Sequence, residues 1–97
     1  MAVTLLRDTK TNEGATSQEE TILPAAVANL LRVFYVQDAD GIKITAGAGD
    51  TIRLAGSVSA AAGNITSSTI GSAVILLAIN ATEWVVMWVQ GTWTIDS

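Results

Sequence analysis

The clearest pattern in the sequence is a series of short apolar runs separated by glycine and aspartate. The stretch 30–37 is rich in β-branched and aromatic residues and the stretch 41–54 in β-branched residues, and the turn sequences DADG and GAGD lie between the runs. Asp and Gly favour tight turns because both tolerate left-handed backbone geometry. Within IKIT, Ile42 and Ile44 alternate with Lys43, which is the pattern of a strand buried on one face. This part of the chain predicts short strands joined by tight turns.

The last third of the chain continues the pattern with apolar runs at 69–80, 83–90 and 92–96. Strands spaced roughly 8–12 residues apart, with no long helical period, predict an all-β protein. We expect a compact β-sandwich or a barrel-like, jelly-roll-type domain over residues 21–97. Residues 1–20 are mostly polar and predict an N-terminal arm or loop, in which only AVTLL (2–6) has the composition of a short strand.

Two of the predicted strands are apolar on both faces. If EWVVMWVQ (83–90) alternates strictly, Trp84, Val86 and Trp88 share one face, and valine and methionine fill the other. The run AVILLAI (73–79) has the same property. The core of a small chain without helices can bury one face of such strands. The other face is expected to be buried by another subunit. The residues predicted to form this interface are Val74, Leu76, Trp84, Val86 and Trp88.

The composition agrees with self-association. The chain has 97 residues, of which 49% are hydrophobic and 14% charged, whereas soluble domains carry about 25% charged residues. A domain this small has little interior in which to hide apolar surface. Large exposed apolar patches usually mark interfaces, so we expect copies of the chain to associate.

Charge and residue types exclude several classes of function. The net charge is −4 and the five basic residues are scattered, which argues against nucleic acid. The absence of cysteine and histidine removes disulfides, thiolate metal sites and the commonest general base. Serine, threonine, aspartate and glutamate are present, but the sequence pairs no nucleophile with a base, so we expect a non-enzymatic protein without a cofactor.

The sequence also argues against a membrane span and against secretion. The longest apolar run, AVILLAINA (73–81), is broken by Asn80 and falls short of the roughly 20 residues that a spanning helix needs. MAVTLLRDTK lacks the apolar run of a secretory signal. We therefore expect assembly in the cytoplasm and no membrane insertion.

The DADG segment does not have the ligand spacing of an EF-hand calcium loop. If Gly41 were the sixth position of an EF-hand loop, positions 1 and 12 would be Val36 and Gly47, which offer no side-chain oxygen. Asp38, Asp40 and Asp50, the aspartates that could bind calcium, are better explained as turn residues. We predict no metal site.

Trp93, in the segment GTWT, suggests an alternative function. An exposed indole ring can stack on the apolar face of a sugar, and Gln90 and Asp96 are near it in sequence. A carbohydrate- or receptor-binding β-module is therefore the alternative to a purely structural protein. Trp84 and Trp88 lie among valines in the most apolar predicted strand, which favours a core or interface role for these two residues.

A resemblance to known proteins extends over most of the chain after residue 20. It rests on TILPAA (21–26), VFYVQDADGIKI (33–44), GAGDTIRL (47–54) and AVILLAINATEWVVMWVQGTWT (73–94). In this order the segments resemble a recurring β-domain of tailed-bacteriophage virion proteins, found on tail fibres, head fibres and related surface appendages.

The resemblance implies an obligate homotrimer of interlocked β-domains that serves virion architecture or surface attachment. Other virion proteins or a host surface would be its partners, the virion its location, and no catalytic residue transfers. We expect a bare domain without a long fibre shaft, in which the protein would differ from such proteins. Capsid decoration, fibre tip and fibre adaptor therefore remain alternatives.

Overall fold

A computed structural model describes the backbone of residues 7–96 and the side chains of residues 10–96. The short strand predicted at 2–6 lies outside this range. The described chain forms ten β-strands: β1 (Arg7–Thr11), β2 (Glu19–Ile22), β3 (Leu31–Tyr35), β4 (Ile42–Thr45), β5 (Thr51–Leu54), β6 (Ser57–Val58), β7 (Asn64–Ser67), β8 (Ala73–Ala78), β9 (Glu83–Gln90) and β10 (Thr94–Ile95).

The strands are arranged in two sheets. One has six strands in the order β1-β3-β8-β9-β5-β6, and the other has four in the order β10-β7-β4-β2. Both are mixed, because β1–β3, β2–β4 and β5–β9 pair in parallel. The predicted all-β sandwich is confirmed. Among the described residues there is no helix long and apolar enough to cross a bilayer.

The hydrophobic core lies between the two sheets. Alternate side chains of each strand point inward, and their burial stabilises the fold by about 25 cal/mol per Å² of apolar surface. The chain exposes 5299 Å², and a compact monomer of this mass exposes roughly 5300 Å². One chain is thus about as compact as an ordinary monomer. The largest buried side chains are Trp84, Phe34, Ile42, Ile44, Ile52, Ile65 and Leu76.

The polar start of the chain differs from the predicted arm or loop. Where the structure describes it, β1 pairs in parallel with β3 at the edge of the six-stranded sheet, and β2 pairs with β4 at the edge of the other. An edge strand needs backbone hydrogen bonds but no apolar face, and charged residues there discourage pairing with other chains. Hydrophobic periodicity is therefore a poor guide to such strands.

One buried polar side chain fixes the connection between these two edge strands. Asn12 is 1% exposed, and its Nδ2 donates to the carbonyl oxygens of Asp38 and Gly41, at 2.9 and 3.2 Å. Its Oδ1 accepts the backbone N–H groups of Gln37 and Asp38, at 2.7 and 2.9 Å. These four bonds hold the β1–β2 connection against the DADG turn.

The β5–β6 hairpin offers a stabilising substitution. Leu54 pairs with Ser57, and the two central residues, Ala55 and Gly56, have φ angles of 49° and 93°. Two positive φ values indicate a type I′ turn, which favours Asn-Gly and strains alanine. We expect Ala55→Asn to raise the free energy of unfolding by about 0.5–1 kcal/mol in urea denaturation. The same change at exposed Ala61 should have no such effect, and a less stable Ala55→Asn protein would contradict the assignment.

Candidate interaction surface

A β-bulge in β9 changes which of its side chains face outward. The register between β8 and β9 shifts between Ile75 and Leu76, and Met87 is the extra residue on β9. An extra residue reverses the inward–outward alternation beyond it. Trp84 therefore points into the core, whereas Trp88 points away from it. The predicted strict alternation, which put both rings on one face, is wrong for this reason.

The outward side of the six-stranded sheet carries a continuous apolar patch on its central strands. Residues that pair directly across a ladder share a face, so β3, β8 and β9 contribute rows of neighbouring side chains. Trp88 is the most prominent of them, at 48% exposed. We call this patch the apolar face, and its members are Leu31, Val33, Tyr35, Ile75, Leu77, Val85 and Trp88.

The outward side of the four-stranded sheet is polar by comparison. A row of directly paired residues crosses it from Thr94 through Thr66 and Lys43 to Glu20. Ile22 is the exception, at 68% exposed. The two sides of the sandwich thus differ in polarity, and only the apolar face has the character of a contact surface.

Charge is sparse around the apolar face. An ion pair lies at its margin, where Nε of Arg53 approaches Oε2 of Glu83 to 2.9 Å. Between Leu54 and Ile95 the sequence contains no other charged residue than Glu83. The residues of the apolar face are themselves uncharged, so two such faces can approach without direct charge repulsion.

Most of the residues predicted to form a subunit interface lie inside the chain's own core. Val74, Leu76 and Trp84 are each 0% exposed, and Val86 is half-buried against the core. Of the five, Trp88 is the one that the structure places on the outer surface. A contact on the surface of the folded chain would therefore use the apolar face and not the set predicted from alternation.

The ring of Trp93 does not stand free on the surface as the predicted ligand platform would. It is half-buried and packs against the core, and its Nε1 donates to the carbonyl oxygen of Gln90 at 3.2 Å. Both the ring and its polar atom are thus engaged within the chain. Trp88 is the tryptophan whose ring is open to contact.

The aspartates considered for calcium are separated in the fold. Asp38 and Asp40 share the turn before β4, where Oδ1 of Asp38 accepts the N–H of Asp40 at 2.9 Å. Asp50 is buried elsewhere and accepts the N–H of Ala26 at 2.9 Å. In the part of the chain that the structure describes, no three potential metal ligands come together.

Comparison of the chain with protein-family models, with curated proteins and with solved structures finds no match.

Proposed function

We propose that this protein is a non-enzymatic structural protein that associates with copies of itself through the apolar face. The observation that carries the proposal is the uncovered apolar patch on the three central strands β3, β8 and β9. A monomer would leave this patch in contact with water. Burying it against a second copy would stabilise the assembly by about 25 cal/mol per Å² of apolar surface.

A second copy suits the patch better than a charged partner. The residues of the apolar face carry no formal charge, and the nearest ion pair, Arg53–Glu83, is already neutralised. An uncharged apolar patch is complementary to itself, and such surfaces are typical of the cores of homo-oligomer interfaces.

The setting that we propose is a virion. The support is the resemblance of residues 21–94 to the β-domains of phage fibres and surface appendages, whose role is architectural. A protein that tiles or caps a larger assembly needs a contact surface and no catalytic group. The resemblance further implies three copies per assembly, and a partner among other virion proteins or a host surface.

Light scattering on a sizing column, at several concentrations, tests the association. We expect the wild-type protein to show a multi-chain mass and Trp88→Lys to show the single-chain mass of 10.1 kDa, because a lysine on the apolar face would be desolvated in the contact. Circular dichroism should show an unchanged fold in this variant, since Trp88 lies outside the core.

Ile22→Lys is the matched control, because it replaces an exposed apolar side chain on the opposite, polar side of the sandwich. It should keep the wild-type mass. A wild-type protein that stays at 10.1 kDa at all concentrations, or a Trp88→Lys variant that still assembles, would refute the proposal. A mass of three chains would support the trimer.

A further inference from the structure

A polar cleft of about 160 Å³ lies on the other sheet, away from the apolar face. It opens where the end of β7, the turn that follows it and the segment that leads into β10 come together. Gln18, from the connection before β2, closes one side. The remaining lining residues all carry hydroxyl groups, and they are Thr66, Ser67, Ser68, Thr69, Thr92 and Thr94.

Most of these groups are unused within the protein. Among the described residues, the one side-chain hydrogen bond of the lining is that of Ser67, whose Oγ accepts the N–H of Thr69 at 3.3 Å. Each hydroxyl can both donate and accept, and the Gln18 amide adds two donors and an acceptor. The cleft therefore presents a cluster of free hydrogen-bonding groups from three separate segments of the chain.

The chemistry of the lining selects for an uncharged ligand. No lining residue is acidic or basic, and the nearest charged residues along this face, Lys43 beside Thr66 and Glu20 beside Lys43, are opposite in sign. Hydroxyl groups match ligands that themselves carry several hydroxyls. The four threonine methyl groups supply apolar contacts that the C–H groups of a sugar ring can cover.

We propose that this cleft binds one uncharged sugar residue of a glycan. A liquid water occupies about 30 Å³, so the cleft has room for about five waters or for a single sugar ring in their place. This cleft is not the ligand platform predicted at Trp93. The Trp93 ring packs against the core and is not among the residues that line the cleft. Trp93 nevertheless lies between Thr92 and Thr94 in sequence, and it can report on binding.

Nuclear magnetic resonance titration of the full chain with methyl glycosides of glucose, galactose, mannose and N-acetylglucosamine tests the proposal. With at least one of them we expect saturable shifts confined to the amides of residues 66–69 and 92–94, with a Kd in roughly the millimolar range for so small a ligand. Glucuronate, a charged sugar, should bind more weakly. The absence of saturable shifts with every neutral sugar would overturn the proposal.

Thr66→Val and Thr94→Val give a sharper test, because the two residues are directly paired and valine keeps their shape while removing the hydroxyl. Each change should weaken binding about fivefold, as expected for the loss of one hydrogen bond. Thr51→Val makes the same change on the six-stranded sheet and should leave the Kd unaltered. Unaltered binding in the Thr66→Val, Thr94→Val double variant would overturn the site.

This proposal is independent of self-association. Valine at either position should not change the mass in solution, whereas Trp88→Lys should change the mass and leave sugar binding intact. If the protein does not assemble but binds sugar, only the self-association proposal fails. If it assembles but does not bind sugar, only the sugar-binding proposal fails.

Discussion

Replacing Trp84 with alanine is expected to lower the free energy of unfolding by about 3–5 kcal/mol, the largest effect of any substitution considered for this chain. Trp84 is fully buried between the sheets and pairs with Ile52 on one side and Ala78 on the other. Truncation would leave a large cavity between two rigid sheets. Because small domains are stable by only about 5–15 kcal/mol, this loss would remove a large part of the wild-type stability. Urea denaturation followed by circular dichroism measures the loss.

Trp84→Phe is the control for this prediction. The indole Nε1 of Trp84 is buried and has no hydrogen-bond partner among the described residues. Phenylalanine loses some volume but also removes this unpaired donor, so the two effects offset each other and the loss should stay below about 2 kcal/mol. If Trp84→Ala kept wild-type stability but lost assembly, Trp84 would lie in a subunit interface, as alternation in the sequence suggested.

Replacing Asn12 with alanine is expected to lower the free energy of unfolding by about 3 kcal/mol, although the side chain is small and the loop around it is polar. The four hydrogen bonds of Asn12 would be lost, and the N–H groups of Gln37 and Asp38 would be left without partners in a partly buried site. An unsatisfied buried group costs about 1–3 kcal/mol. Hydrogen exchange should show faster opening of β1 and of the DADG turn.

Asn64→Ala is the matched control for Asn12→Ala. The Asn64 side chain makes one long, exposed contact, from Nδ2 to Oδ2 of Asp96 at 3.5 Å, so its loss should cost less than about 0.5 kcal/mol. Equal losses at the two positions would mean that burial of the Asn12 network does not matter. A wild-type exchange rate in the DADG turn of Asn12→Ala would contradict its role as a link between the two sheets.

Much of the strand content could be predicted from the sequence. The strand at 83–90 agrees with β9, and the turns at DADG and GAGD fall where Gly41 and Gly49 adopt positive φ. These features are local, because alternation and turn chemistry act over a few residues.

The features that decide the surface are not local. The bulge at Met87 depends on how β9 pairs with β8, and it reverses the outward set without any change in composition. The hydrogen-bond partners of Asn12 lie 25 to 29 residues away in the sequence. The residues next to Asn12 therefore predict only a polar loop. Sequence reasoning therefore identified the apolar excess correctly but assigned it to Val74, Leu76 and Trp84, which the fold uses as core.

The hydroxyl cleft shows the same limit. Its residues come from three segments, around Gln18, Ser67 and Thr92, and serine and threonine are common in any β-rich chain. A run such as NITSST signals a strand end and a turn, not a binding site. Only the pairing of β7 with β10 brings Thr66 and Thr94 together.

The strand order also has a consequence for biosynthesis. Strands β5 and β6 join the six-stranded sheet only through β9, and β3 joins it through β8. The earlier strands therefore lack these partners until β8 and β9 have been synthesised. Translation proceeds at about 5–20 residues per second. During those seconds apolar strands of neighbouring nascent chains on one messenger RNA are close together and unpaired. We therefore expect this protein to be more prone to aggregation during translation than after it has folded.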